Sequence, residues 1–202
     1  MSPVGDRPPF DAVEDAETSG MRAGRAIEFR AGRWLAREAL AGVGAPPGRI
    51  LRGESRRPAW PTGYTGSISH TGLAVIAVAA KCSTYRSVGI DLELRGSLDE
   101  ALIDQVFTAQ EIEVLDTLPG AMRPDFPTLV FSAKEAAYKC QHPITERLVD
   151  FQDCETTFDL DERTFEAAFS SPVDQPNAPL VIAGRWTLVQ GHVLTVSWLP
   201  AT

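Results

Sequence analysis

Apolar residues change rhythm along this chain. From about Thr18 to Ala41 they recur at spacings of roughly three to seven, at Ile27, Trp34, Leu35 and Leu40, with arginines between them. That spacing predicts an amphipathic helix, and Gly42 and Gly44 are natural stops. Pro46-Pro47-Gly48 then makes a turn, and Arg49 to Gly66 reads as an irregular connection around a short strand at Ile50-Leu51. Ser67-Ile68-Ser69-His70-Thr71 reads as a loop entering Leu73 to Ala80, a continuous apolar run short enough to be a buried strand. Ser87 to Leu94 is a second strand.

Helical spacing returns in the middle of the chain, over Leu98 to Phe107 and Gln110 to Leu118. The second of these is entered through Thr108 as an N-cap, with Glu111 three residues on, a capping-box pattern. After Pro124 and Pro127, about Thr128 to Gln141 forms a longer helix that His142-Pro143 should end. The last third alternates with period two. Cys154 to Phe158, Thr164 to Phe169, Val181 to Val189 and Val193 to Trp198 are strand-like, the last two joined through Gln190-Gly191 as a hairpin turn. A helix, two strands, further helices and then an antiparallel run give an α+β order and not a strict βαβ alternation.

Composition narrows the setting. At 202 residues with 44% apolar content the chain can build its own core. Residues 1 to 20, with Pro8-Pro9 and several acids, read as a flexible arm and lack the basic start and apolar run of a secretory signal. No apolar stretch approaches 18 residues, so no membrane partner is expected. Cys82, Cys140 and Cys154 are widely spaced, without a C-x-x-C pair, which fits a reducing, cytoplasmic setting. A net charge of -8 argues against a general nucleic-acid binder. The distribution says more. Residues 1 to 18 carry -4, whereas residues 22 to 57 hold nine arginines against three glutamates, a local +6. Arginine's planar fork suits bidentate contact with phosphate, so that segment is expected to hold an anion; a solvated helix face is the alternative.

Three places could carry chemistry. Asp91 and Glu93, two apart on a strand, should face the same side, and Gly89 just before them permits close approach of another group. Glu135 and Lys139 lie one helical turn apart in Phe131-Ser132-Ala133-Lys134-Glu135-Ala136-Ala137-Tyr138-Lys139. Taken alone, such a pair is an ordinary surface ion pair. With the acidic strand pair, Glu135 would make an oxygen-rich site of the kind Mg²⁺ takes, and Lys139 a phosphate contact. Ser69 and His70 could present a hydroxyl, backbone N–H groups and an imidazole to a phosphate. His142 and His192 have no partners at metal-ligand spacing.

In their order and at roughly these intervals, Ser67-Ile68-Ser69-His70, Gly89-Ile90-Asp91-Leu92-Glu93 and the Phe131 to Lys139 run resemble the three signatures of the Sfp-type 4'-phosphopantetheinyl transferases. Similarity to the actinobacterial and enterobactin-synthetase-component-D-like branch runs from about Gly24 to Trp198 and includes Ile50 to Glu54, Pro58 to Pro61 and Gly184-Arg185-Trp186. The third motif here begins with Phe131 where many relatives have Trp, and Arg52 stands where some have Lys.

The resemblance implies two similar α/β halves related by a pseudo-twofold axis, 21–97 and 98–202 after the arm 1–20, with coenzyme A in the cleft between them. It implies that Asp91, Glu93 and Glu135 hold Mg²⁺, or Mn²⁺ in its place, on the pyrophosphate, and that Arg25, Arg33, Arg52 and His70 contact the adenylate end with its 3'-phosphate. By the same likeness the activity is transfer of 4'-phosphopantetheine to a serine of apo acyl carrier or peptidyl carrier proteins, releasing 3',5'-ADP. Glu135, directly or through a metal-bound water, is the candidate base. Lys139 would stabilise or protonate the leaving phosphate, with Lys134 and Tyr138 in support. The carrier is expected to be acidic and helical, received by the basic segment or by the helices near residues 98 to 118, and the enzyme to be a monomer. Two other readings stand beside this one: a coenzyme A binding module without transfer activity, and a metal-dependent phosphohydrolase.

Overall fold

The computed structural model describes residues 11–53, 57–72, 74–118, 120, 122–169 and 181–201. The expectations that fall on residues 1–10, on Glu54 and on Leu73 lie outside them. The chain divides into two compact units, Met1–Val88 with Pro200–Thr202, and Gly89–Leu199, so the division falls inside a strand and earlier than residue 97.

In the first unit a short helix α1 (Ala12–Ala16) precedes α2 (Ala23–Gly42), the helix that the arginine-spaced apolar pattern predicts. The expectation of a flexible arm to residue 20 needs correction over 11–20. Asp11 caps α1 by accepting from the Val13 and Glu14 backbone N–H groups, and Glu14 is buried, its carboxylate accepting from the Ile50 N–H at 2.9 Å. Acids that find arginine and backbone donors order the segment without an apolar face. α2 packs on an antiparallel hairpin of β1 (Tyr64–Thr71) and β2 (Ala74–Lys81), paired from Tyr64↔Lys81 to Thr71↔Ala74. Ala36, Leu40 and Ile50 form its core. β1 includes the segment expected to be a loop. Its glycine and serines give little strand propensity, and the pairing with β2 along its whole length overrides it.

The second unit is built on a five-stranded sheet in the order β3-β7-β6-β5-β4, where β3 is Tyr85–Leu94, β4 Cys154–Asp159, β5 Thr164–Phe169, β6 Val181–Val189 and β7 His192–Pro200. The β6–β7 turn is Gln190-Gly191 as expected, both residues at positive φ (48° and 78°). The expected helix over Leu98 to Phe107 is instead a 3₁₀ turn at Glu100–Leu102 and one helical turn, α3 (Ile103–Val106). In α4 (Ala109–Thr117) the Thr108–Glu111 capping box is present.

The long helix α5 (Phe126–Thr145) covers the sheet, with Phe126, Leu129, Val130, Ala133 and Ala137 packed among Phe107, Phe165, Ile182, Trp186 and Val193. It runs through Pro143 to Thr145. Gln141 holds this last turn, pairing with the Thr145 hydroxyl and donating to the Arg147 carbonyl at 3.1 Å, and Glu146 closes it at φ 56°.

Candidate active site

Where β3 meets α5, side chains give way to backbone. A Cβ on Gly89 would fall 2.0 Å from the Ala136 carbonyl oxygen and 2.7 Å from the Cys140 nitrogen, so only glycine lets the strand lie against the helix. From β7 the Ser197 hydroxyl donates to the Ala136 carbonyl at 2.8 Å, and the Thr195 hydroxyl donates to the Ser132 carbonyl at 2.9 Å. This close seam sets the residues two and four positions beyond Gly89 beside the middle turns of α5 that carry Glu135 and Lys139.

The result is one cluster of Asp91, Glu93, Glu135 and Lys139. The Lys139 ammonium lies 2.6 Å from Asp91 Oδ1 and 3.9 Å from Glu135 Oε2. Asp91 is buried, Glu93 and Glu135 only partly so. Burial, then the neighbouring Asp91 charge, pushes the Glu93 carboxyl up to about 7, with Lys139 pulling the other way. Burial also lifts Glu135 above the usual carboxylate range, against Lys139 and with Asp91. Among the described residues no three His, Cys, Asp or Glu side chains are already gathered to hold a metal ion. Here the ammonium of Lys139 sits among the carboxylates. The donor set nonetheless fits Mg²⁺: it is all oxygen and anionic, and Asp91 and Glu135 add to the burial that raises Glu93, so a divalent cation would relieve part of that cost.

Lys134 and Tyr138 take different roles. Lys134 is turned into the core, 2.8 Å from Glu111 and donating to the Val106 and Phe151 carbonyls at 2.7 and 2.9 Å. Glu111 accepts in turn from the backbone N–H groups of Thr108 and Thr156 and from the Thr156 hydroxyl. The pair is fully satisfied and ties α4, α5 and β4 together. Tyr138 stacks on His142 and, with Glu135, Phe151 and Phe169, lines a cavity of about 120 Å³.

The first unit holds a larger cavity, about 490 Å³, and Arg25, Arg33, Arg52 and His70 all line it. Ser69 does not. Side chains alternate along a strand, so Ile68 and His70 face the cavity while Ser69 is buried on the other side of β1. Arg30, which shares α2, leaves the cavity to pair with Asp15. Arg33 is only 4% exposed, and its Nε has no hydrogen-bond partner among the described residues. Burial draws it down to about 10, opposed by the Glu17 and Glu14 carboxylates. The Arg33 and Arg52 guanidinium groups stack on the Phe29 ring at 4.5 and 5.0 Å. Glu28 lies 3.2 Å from Arg25 and 3.3 Å from His70 Nδ1, and the His70 Nε2 contacts Arg25. Sequence reasoning missed Phe29 and Glu28, though their spacing gave a signal: each lies three or four residues from an arginine of the cavity, on the same helix.

Comparison with known proteins fits this geometry. The 4'-phosphopantetheinyl transferase N-terminal domain model matches residues 14–80, and that of the 4'-phosphopantetheinyl transferase superfamily matches residues 87–194. The chain belongs to the 4'-phosphopantetheinyl transferase superfamily. This transferase is 35% identical to 4'-phosphopantetheinyl transferase PptT of Mycobacterium tuberculosis, over 86% of its own length and 78% of that protein's. It is 37% identical to the transferase Npt of Nocardia iowensis, over 85% and 81% of the two chains. Enterobactin synthase component D of Escherichia coli is 37% identical over 63% of this transferase and 61% of its own chain. A solved holo-[acyl-carrier-protein] synthase from Thermotoga maritima aligns with 55% of this chain and 61% of its own, at a TM-score of 0.44 and 17% identity. The activity is phosphopantetheinyl transfer, and the readings as a silent binding module or a phosphohydrolase give way to it. No helix among the described residues is long and apolar enough to cross a membrane.

Proposed function

We propose that this transferase moves the 4'-phosphopantetheine arm of coenzyme A to a serine of an apo acyl or peptidyl carrier protein with acidic surface helices, in a reaction that requires Mg²⁺. The observation that carries the reading is the gathering of Asp91, Glu93, Glu135 and Lys139 into one cluster, with a lysine 2.6 Å from a buried carboxylate. Asp91, Glu93 and Glu135 would hold the ion, which when bound neutralises charge developing on the pyrophosphate oxygens. Glu135, its carboxyl raised by burial, is suited to take the proton of the serine hydroxyl. The serine oxygen forms a bond to the phosphorus bearing the pantetheine arm, the bond from that phosphorus to the bridging oxygen breaks, and 3',5'-ADP leaves. Lys139 offers a cation to the leaving phosphate. In the first unit, the cavity of Arg25, Arg33, Arg52 and His70 suits the phosphorylated adenosine, and the buried Arg33 Nε supports that assignment.

The test is intact-protein mass spectrometry of an apo carrier protein incubated with the enzyme, coenzyme A and Mg²⁺, with EDTA as control. A gain of one phosphopantetheine mass that EDTA abolishes is expected. Glu135→Ala should lose transfer while coenzyme A binding remains. Unchanged turnover in that variant would remove Glu135 from the mechanism.

A further inference from the structure

The acids of the N-terminal segment are sorted among the arginines. Asp11 pairs with Arg49 at 2.9 Å, Glu14 with Arg37 and Asp15 with Arg30, all outside the cavity. Glu17 does something else. Its Oε1 accepts the backbone N–H of Arg52 at 2.9 Å, and its Oε2 is buried with no hydrogen-bond partner among the described residues. Beginning two residues on, Ser19, Gly20 and Met21 form part of the cavity wall, and the Met21 sulfur lies 3.8 Å from Arg52 Nη2.

A cavity containing three arginines, two of them stacked on one ring, is a poor resting place for guanidinium groups without a fixed frame. Arg52 sits in a connection outside the regular strands, where the Gly53 and Ala59 N–H groups bond across the Arg52↔Pro58 bridge to the Arg57 and Leu51 carbonyls, and the Arg52 N–H itself goes to Glu17. Its position therefore depends on what bonds its backbone. We propose that Glu17 is a positioning residue for the anion cavity: by clamping the Arg52 main chain to the segment that forms the cavity wall, it fixes Arg52 for the ligand's phosphate. The inference rests on reading this cavity as the seat of the 3'-phosphorylated adenosine. Glu17 touches neither the reacting atoms nor, in this role, the ligand. Its loss should thus appear in binding and spare the chemical step.

The experiment is calorimetric titration with 3',5'-ADP and steady-state transfer by the wild type, Glu17→Ala, Glu17→Gln and Arg33→Ala proteins, each checked for wild-type circular dichroism. Glu17→Ala should weaken 3',5'-ADP binding and raise the KM for coenzyme A about tenfold, with kcat within about twofold of wild type. Glu17→Gln keeps an oxygen for the Arg52 N–H and should recover most of that loss. Unaltered binding in Glu17→Ala, a glutamine variant as weak as the alanine one, or a fall in kcat at constant KM would each overturn the proposal. If Arg33→Ala weakens binding while Glu17→Ala does not, the cavity assignment stands and the role of Glu17 fails. If Arg33→Ala binds like wild type, the cavity assignment fails and the proposal falls with it.

Discussion

Lys139 follows Glu135 by four residues, a spacing that on most helix surfaces yields an exposed pair worth about 0.3 to 0.5 kcal/mol. Here its ammonium lies nearer to Asp91, on a strand, than to Glu135 on its own helix, and that longer-range contact separates a site from a surface pair. Glu93 carries a testable consequence. Its carboxyl is raised from an ordinary 4.5 to about 7, so the folded chain favours its protonated form across that window, and ionising it costs stability as pH rises. A cation needs the ionised form. Mg²⁺ affinity measured by calorimetry should therefore strengthen from about pH 6 to pH 8 with release of protons, and a flat profile would contradict the ligand role. Lys134 makes the opposite case. Within one motif it adjoins Glu135, yet it is buried against Glu111. Lys134→Ala should lower stability in urea unfolding by about 3 to 5 kcal/mol, because Glu111 would be left buried and unpaired. The acidic residues were legible because a two-residue spacing on a strand and a four-residue spacing on a helix fix which faces they share. Whether Lys134 turns inward, or Ser69 away from the cavity, depends on packing partners far along the chain.

Among the elements, β3 and α5 are placed by Gly89. A Cβ there would meet backbone atoms, which cannot swing aside as a side chain can. Gly89→Ala should thus destabilise the protein by about 1 to 3 kcal/mol and depress transfer much further, by moving Asp91 and Glu93 away from Glu135 and Lys139. Wild-type stability and turnover in that variant would show the seam to be dispensable. The sequence marked this glycine as a point of close approach without saying to what. The expected bounds of β5 and β6 match the structure, and those of α2 match at its C-terminal end to within a residue, though the helix begins at Ala23 and not at Thr18. β1 was not legible as a strand, since its residues have weak strand preference and owe their extension to the facing β2. The end of α5 was misjudged because a proline usually stops a helix, whereas here side-chain bonds from Gln141 hold one more turn.

At the scale of the whole molecule, charge was the least legible property. The +6 segment is expected to hold an anion, with a solvated helix face as the alternative; three of its arginines are paired with acids of the N-terminal segment, and Arg25, Arg33 and Arg52 line a cavity. The helices near residues 98 to 118, expected to receive an acidic carrier, contain Asp99, Glu100, Asp104, Glu113 and Asp116 and no lysine or arginine. Much of this segment's positive charge is therefore met locally, while the field at a distance follows the net -8. An acidic carrier and an anionic coenzyme would both approach against that field. Moderate salt, which shortens the Debye length to about 8 Å at physiological strength, should accelerate their encounter before it weakens the arginine contacts. Transfer at limiting carrier concentration is expected to rise and then fall as salt is added, and a monotonic fall would mean attraction at a distance. Pairing some arginines with acids and gathering others around one cavity thus moves electrostatic selection from the approach to the moment of contact.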